Sequence, residues 1–147
     1  MWQLASTTNA RVSGSWKEIL KMYDKNKRKY IKKKNVYYRP WGRYTNLFEG
    51  KEFLIKELFV KPKGILSLQK HHHRAEHWLV TQGNPKITLN KDNFIKKPNE
   101  HIFIPLGSIH RILNQGTKPV RIMEAQVGSI LTETDLVRYQ DVYGHVK

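Results

Sequence analysis

LSLQKHHHRAEHWLV, residues 66–80, and PLGSIHRILN, residues 105–114, are the two stretches that decide how this chain folds. In an extended backbone, Ser67, Gln69, His71 and His73 share one face of the first stretch, and Leu66, Leu68, Lys70 and His72 share the other. A row of imidazole and amide groups turned into an apolar barrel is costly unless something satisfies it. A metal ion would satisfy it. Glu76 follows a bend, so its carboxylate can return to the same point, and His110 enters from a different strand. Neutral imidazole suits Zn, Fe, Ni or Co, while carboxylate and amide oxygens harden a site toward Mn or Mg. The expected ligands are therefore Gln69, His71, Glu76 and His110, with His73 as the alternative to Gln69 or His71. Cysteine is absent, which excludes disulfides and thiolate ligands.

Outward from these stretches, short strand-like runs occur at residues 53–60, 66–73, 77–81, 86–89, 101–104, 110–113 and 120–127, punctuated by Gly, Pro and Asn. Many short strands at even spacing predict an all-β sandwich or barrel. No long crossover helix separates them, which excludes a parallel α/β sheet. Trp41, Phe53, Ile55, Leu58, Val60, Trp78, Val80, Ile87, Ile102, Ile104, Val120 and Ile122 are the expected core. Tyr37–Gly42 reads as a rigid aromatic turn. The more polar tail after Ile130 is expected as a short helix or an extended cover. The length, 147 residues, suits one ordinary domain.

The formal charge of +15 is unevenly spread. Residues 1–34 hold ten Lys and Arg against Glu18 and Asp24. Such a tract can bind phosphate backbones without sequence specificity, but the chain lacks basic strands interleaved with aromatics and any recognition-helix pattern. It therefore reads as a solvated helix and linker, and nucleic acid is not an expected partner. Ser15 and Glu18 have capping-box spacing, and Trp16, Ile19, Leu20 and Tyr23 fall on one helical face. The expected organisation is an N-terminal segment, residues 1–35, with a short amphipathic helix and a basic linker, followed by a β domain with its tail, residues 36–147. No targeting segment or membrane-length apolar run is visible, so a soluble, cytoplasmic protein without membrane association is expected.

Gln69-x-His71-x4-Glu76-x6-Gly83 resembles the first cupin motif, and Pro105-x-Gly107-x2-His110-x3-Asn114 resembles the core of the second. The segments VYYRPWGRY, LSLQKHHHRAEHWLV, IFIPLGSIHRILN and EAQVGSILTETDLVRYQDVYG are together similar to the type II mannose-6-phosphate isomerase domain, over roughly residues 36–144. The resemblance implies a cupin, a double-stranded β-helix or jelly-roll barrel. It also places one divalent metal ion (Zn, Mn, Co or Ni) on Gln69, His71, Glu76 and His110, with Gln69 replacing a His. Such domains often follow a mannose-1-phosphate guanylyltransferase domain, and Gly14-Ser15-Trp16 resembles the junction. No Gly-rich nucleotide loop occurs near the start, so guanylyl transfer is not expected. The chain departs from the family pattern at Lys63-Gly64, where the Gly is shifted by one, and at Asn99, where the second motif usually begins with Gly.

The reading implied is isomerisation of mannose 6-phosphate to fructose 6-phosphate through a cis-enediol. That reaction needs a base at carbon, an acid at the oxygens and an electrophile for the developing oxyanion. Glu124 and His73 are the candidate bases. Arg74, Arg111 and Arg138 are candidates for gripping the sugar phosphate, since the Arg fork fits phosphate. Alternation along the strand would point Arg111 away from the metal. The alternatives are a nonenzymatic sugar- or sugar-phosphate-binding cupin and a cupin that modifies a nucleotide sugar. A homodimer is expected, from Leu66 and Leu68 as outward apolar positions.

Overall fold

The computed structural model describes residues 35–144, which form eleven strands. These are β1 (Asn35–Arg39), β2 (Gly42–Gly50), β3 (Phe53–Val60), β4 (Leu68–Lys70), β5 (Arg74–Gln82), β6 (Lys86–Leu89), β7 (Asp92–Ile95), β8 (His101–Ile104), β9 (His110–Leu113), β10 (Val120–Gly128) and β11 (Val137–Gln140). The all-β expectation holds among the described residues. The expected N-terminal helix lies outside them. Among the described residues no helix is long and apolar enough to cross a membrane.

The strands form two antiparallel sheets, in the orders β1-β2-β3-β10-β5-β8 and β11-β4-β9-β6-β7. Alternation in each strand sends every second side chain inward. In β3, Leu54, Lys56, Leu58 and Val60 are buried, and in β10, Val120, Ile122, Glu124 and Gln126 are buried. The core of Tyr44, Leu58, Val60, Leu66, Trp78, Val80, Ile87, Ile104, Ile112, Val120 and Ile122 lies between the sheets. Burying a side chain of this size contributes roughly 1.5–3 kcal/mol. Two expectations are corrected here. Phe53 and Ile55 alternate to the outer face of β3, because Leu54 and Leu58 take the inner one. Leu66 is not an outward position: it precedes β4, hydrogen-bonds to Ile112 and is buried. Of the two forms expected for the tail, the extended one is found: β11 pairs with β4.

Two departures from the family pattern are absorbed locally. Lys63 and Asn99 take up the left-handed conformation, at φ 64° and 72°, a region Asn visits readily and Lys rarely. Gly128 answers a different demand: a Cβ there would lie 2.1 Å from the His73 carbonyl oxygen and 2.6 Å from the Arg74 Cα. Only a glycine lets β10 pass this closely beneath the first motif.

Candidate metal centre and its cavity

β4, β5 and β9 bring the two motifs together. Gln69 and His110 are cross-strand partners, and the Gly107 N–H donates to the His71 carbonyl at 2.9 Å. β4 ends at Lys70, so the sequence bends before the expected alternation reaches His73. His71 still turns inward. His71 Nε2 stands 3.0 Å from Glu76 Oε1, and His110 Nε2 stands 3.8 Å from Glu76 Oε2. His71, Glu76 and His110 are all buried, and their ligand atoms lie within 4.8 Å of one another.

The hydrogen bonds fix which nitrogens are available. His71 Nδ1 faces the Asp135 carbonyl oxygen at 2.5 Å, and His110 Nδ1 faces that of Ser108 at 2.9 Å. A carbonyl accepts only, so both Nδ1 atoms carry a proton, and each Nε2 presents its lone pair beside Glu76 once it is deprotonated, as a metal ligand must be. His110 Nε2 is buried without a hydrogen-bond partner. Two imidazole lone pairs aimed at a carboxylate are the donor set a divalent ion requires, so the residues fit a metal. At His71, Arg74 Nη2 occupies the neighbourhood of that lone pair, at 3.3 Å.

Electrostatics divides the two buried carboxylates. Burial pushes Glu76 up, but the bond to His71 and the charges of the imidazoles and Arg74 overcome it and hold Glu76 well below the ordinary value. Burial holds His110 low, against the pull of Glu76. Glu124 goes the other way: burial first, then repulsion by Glu76, push it up to about 8, against the pull of Lys56. The Trp78 indole N–H sits 2.9 Å from both Glu76 Oε2 and Glu124 Oε2, and Gln126 Nε2 donates to Glu124 Oε1 at 2.6 Å.

Glu76 and Glu124 line a cavity of about 150 Å³, together with Gln69, Arg74, Lys56, Arg39 and Arg138. Gln69 thus reaches the site, its Oε1 accepting from Ser67 at 3.1 Å. Arg74 is not at the rim: it is buried, 3.3 Å from Glu76 and 3.0 Å from the Thr132 carbonyl. Arg138 lines the mouth and is exposed. Two candidates are not brought to the cavity. Arg111 lies on the opposite face of β9 from His110 and donates to Gln140. The His73 side chain is 50% exposed and bonded to Asp135 at 3.1 Å, because the chain has left the strand by that point. Lys56 was not singled out from the sequence. It is 3% exposed, 2.5 Å from Glu133 and 4.4 Å from the Tyr44 ring centroid. The inward rhythm of Leu54, Leu58 and Val60 is the signal that would have found it.

Comparisons with known proteins give the family and the fold. Residues 25–141 match the family described as mannose-6-phosphate isomerase C-terminal. The alginate biosynthesis protein AlgA of Pseudomonas putida is 42% identical over 128 residues, 87% of this chain and 26% of that protein. The mannose-1-phosphate guanylyltransferase ManC of Salmonella typhimurium is 45% identical over 109 residues, 74% of this chain and 23% of that protein. The chain spans about a quarter of the length of these curated relatives. Among solved structures, the capsular polysaccharide assembling protein CapF of Staphylococcus aureus superposes with a TM-score of 0.64 at 18% identity, over 74% of this chain and 34% of that one. The cupin domain of Schizosaccharomyces pombe Cnp3 gives 0.56 at 20%, over 59% and 61%. At such identities these two establish the cupin fold and nothing more.

Proposed function

Because this chain belongs to the mannose-6-phosphate isomerase C-terminal family and has the cupin fold, we propose that it isomerises mannose 6-phosphate and fructose 6-phosphate through a cis-enediol, with one divalent metal. The observation that carries the reading is Glu124, a buried carboxyl raised to about 8 on the wall of the cavity that Glu76 also lines. A carboxyl in that range can both take and return a proton near neutrality.

His71, Glu76 and His110 would hold the metal, with Gln69 beside them. Bound there, the metal supplies Lewis-acid polarisation of the sugar oxygens. Trp78 and Gln126 each donate to one oxygen of Glu124, so the carboxyl that moves the proton is held in a fixed orientation. Arg138, at the mouth, offers a planar fork to the phosphate, and Lys56 adds a cation on the wall. Arg74 holds Glu76 in place. His73 stands outside the cavity, so Glu124 is the base in this reading. The names of AlgA and of the xanthan biosynthesis protein XanB of Xanthomonas campestris favour a setting in polysaccharide biosynthesis. A phosphorylated sugar substrate favours the cytoplasm.

The test is turnover of mannose 6-phosphate with Mn, Zn, Co or Ni restored, in wild type and Glu124→Gln. The variant should keep metal and sugar-phosphate binding and lose about 100-fold or more in kcat. Wild-type protein that binds the sugar phosphate but turns it over with none of the metals would instead be a nonenzymatic binding cupin.

A further inference from the structure

We propose that the outer face of the six-stranded sheet is the contact through which two copies of this chain pair. The cross-strand register gives a row of Phe48, Ile55, Ala125, His77 and Phe103 across five strands. On one side of it run Met123, Leu79 and His101, and on the other Phe53, Val127 and Ala75. Phe48 is 55% exposed, Phe103 47%, Val127 47% and Met123 44%. Monomers rarely leave so continuous an apolar patch in water.

Three observations select a second copy as the occupant. The first is charge. The chain carries +15, so two copies repel wherever their basic surfaces meet. The central rows of this face contain one formal charge, Glu57, and Arg121 neutralises it at 2.9 Å. The face is therefore where two such cations can approach, with Arg43 and Arg121 at its border, stacked on Phe59 at 3.9 and 4.8 Å.

The second observation is size. Four strands of eight or nine residues and one of four, about 4.8 Å apart and rising about 3.4 Å per residue, cover roughly 600 Å² before side-chain relief is counted. That approaches the roughly 800 Å² of accessible surface each partner buries in a stable complex.

The third is relief. A hollow floored by Ala125 is bounded by Ile55, His77, Leu79, His101 and Met123. Beside it the Phe103 ring stacks on His77, centroids 4.7 Å apart. A two-fold axis through the face brings the ridge of each copy to the hollow of the other, which is the self-complementarity an isologous contact needs. Sheets then pack face to face, about 10 Å apart.

Sedimentation of the full chain, up to about 100 µM, should give twice the chain mass. Met123→Glu combined with Phe103→Glu should halve that mass with far-ultraviolet circular dichroism unchanged. A monomeric wild type overturns the proposal and leaves the face to a different protein. A folded double variant that remains dimeric overturns it as well. If the double variant fails to fold, the cysteine-free sequence provides the second measurement. Met123→Cys should be joined between chains by a short bis-maleimide, and Lys91→Cys, on the other sheet, should not. Equal yields at the two positions would rule the face out.

Discussion

Glu76 and Glu124 show how one residue type takes two roles from two surroundings. Glu76 is held ionised by His71 and Arg74, while Glu124 has no cation in direct hydrogen-bond contact and stays protonated to about pH 8. The sign of the consequence follows from linkage. Glu124 binds its proton more tightly folded than unfolded, so its contribution to stability is complete below about pH 4.5 and is lost as pH rises toward about 8. Metal-free protein should therefore lose thermal stability over that interval, and Glu124→Gln should flatten the slope in melts recorded with chelator present. A wild-type profile that rises across the interval would contradict the assignment. The ligands make a separate expectation. His71→Ala and His110→Ala should each lower metal content from about one ion per chain to a small fraction, read by elemental analysis. Full occupancy in both would remove the site. His71, Glu76 and His110 were legible because their types and spacing announce them. Lys56 was not, because a lysine between apolar neighbours reads as solvent-facing until the strand's inward face is known.

The connection between β10 and β11 organises the site more than its polar composition suggests. Thr132 accepts from Arg74, Glu133 pairs with Lys56, and the Asp135 carbonyl faces His71 Nδ1. The Asp135 carboxylate accepts the backbone N–H groups of His72 and His73 at 2.9 and 3.0 Å. Burial pushes that carboxyl up, but these bonds and the His73 ring prevail and hold it below its ordinary value. Its contribution to stability is then present above the unfolded value near 3.8 and is lost as pH falls through the lower folded value. Asp135→Asn leaves one of two N–H groups facing an amide NH2, so it should cost about 1–3 kcal/mol at pH 7. It should also weaken metal binding by about 10–100-fold, as loss of a supporting contact does. Chelator competition measures the second, and unchanged affinity would separate this connection from the metal. The sequence revealed β3, β6, β8 and β9 to the residue, because their alternation is clean and Gly, Pro or Asn bounds them. It did not reveal β1, β2, β7 or β11. Tyr37–Gly42 reads as one turn although the turn itself is short, Asp92–Ile95 is exposed throughout, and β11 has a polar pattern that gains a strand only by pairing with β4.

At the scale of the whole molecule, every member of the core cluster falls between Tyr44 and Ile122. A chain lacking residues 1–34 should accordingly keep the β-rich circular dichroism spectrum and a cooperative melt, and a truncated protein that is unfolded would show that the basic tract belongs to the fold. The sheet order carries a further consequence. β10 lies between β3 and β5, giving up its N–H and C=O groups to both. It is also the tenth of the eleven described strands in chain order. Until residues 120–128 leave the ribosome, β3 and β5 have no common neighbour, and the apolar edges they present are open to other nascent chains. The sheet closes only when this strand arrives and is inserted at the centre. Chains ending before residue 120 should be aggregation-prone, and the cell should depend on chaperone capture during synthesis more for this protein than for one whose sheet grows outward from its first strands.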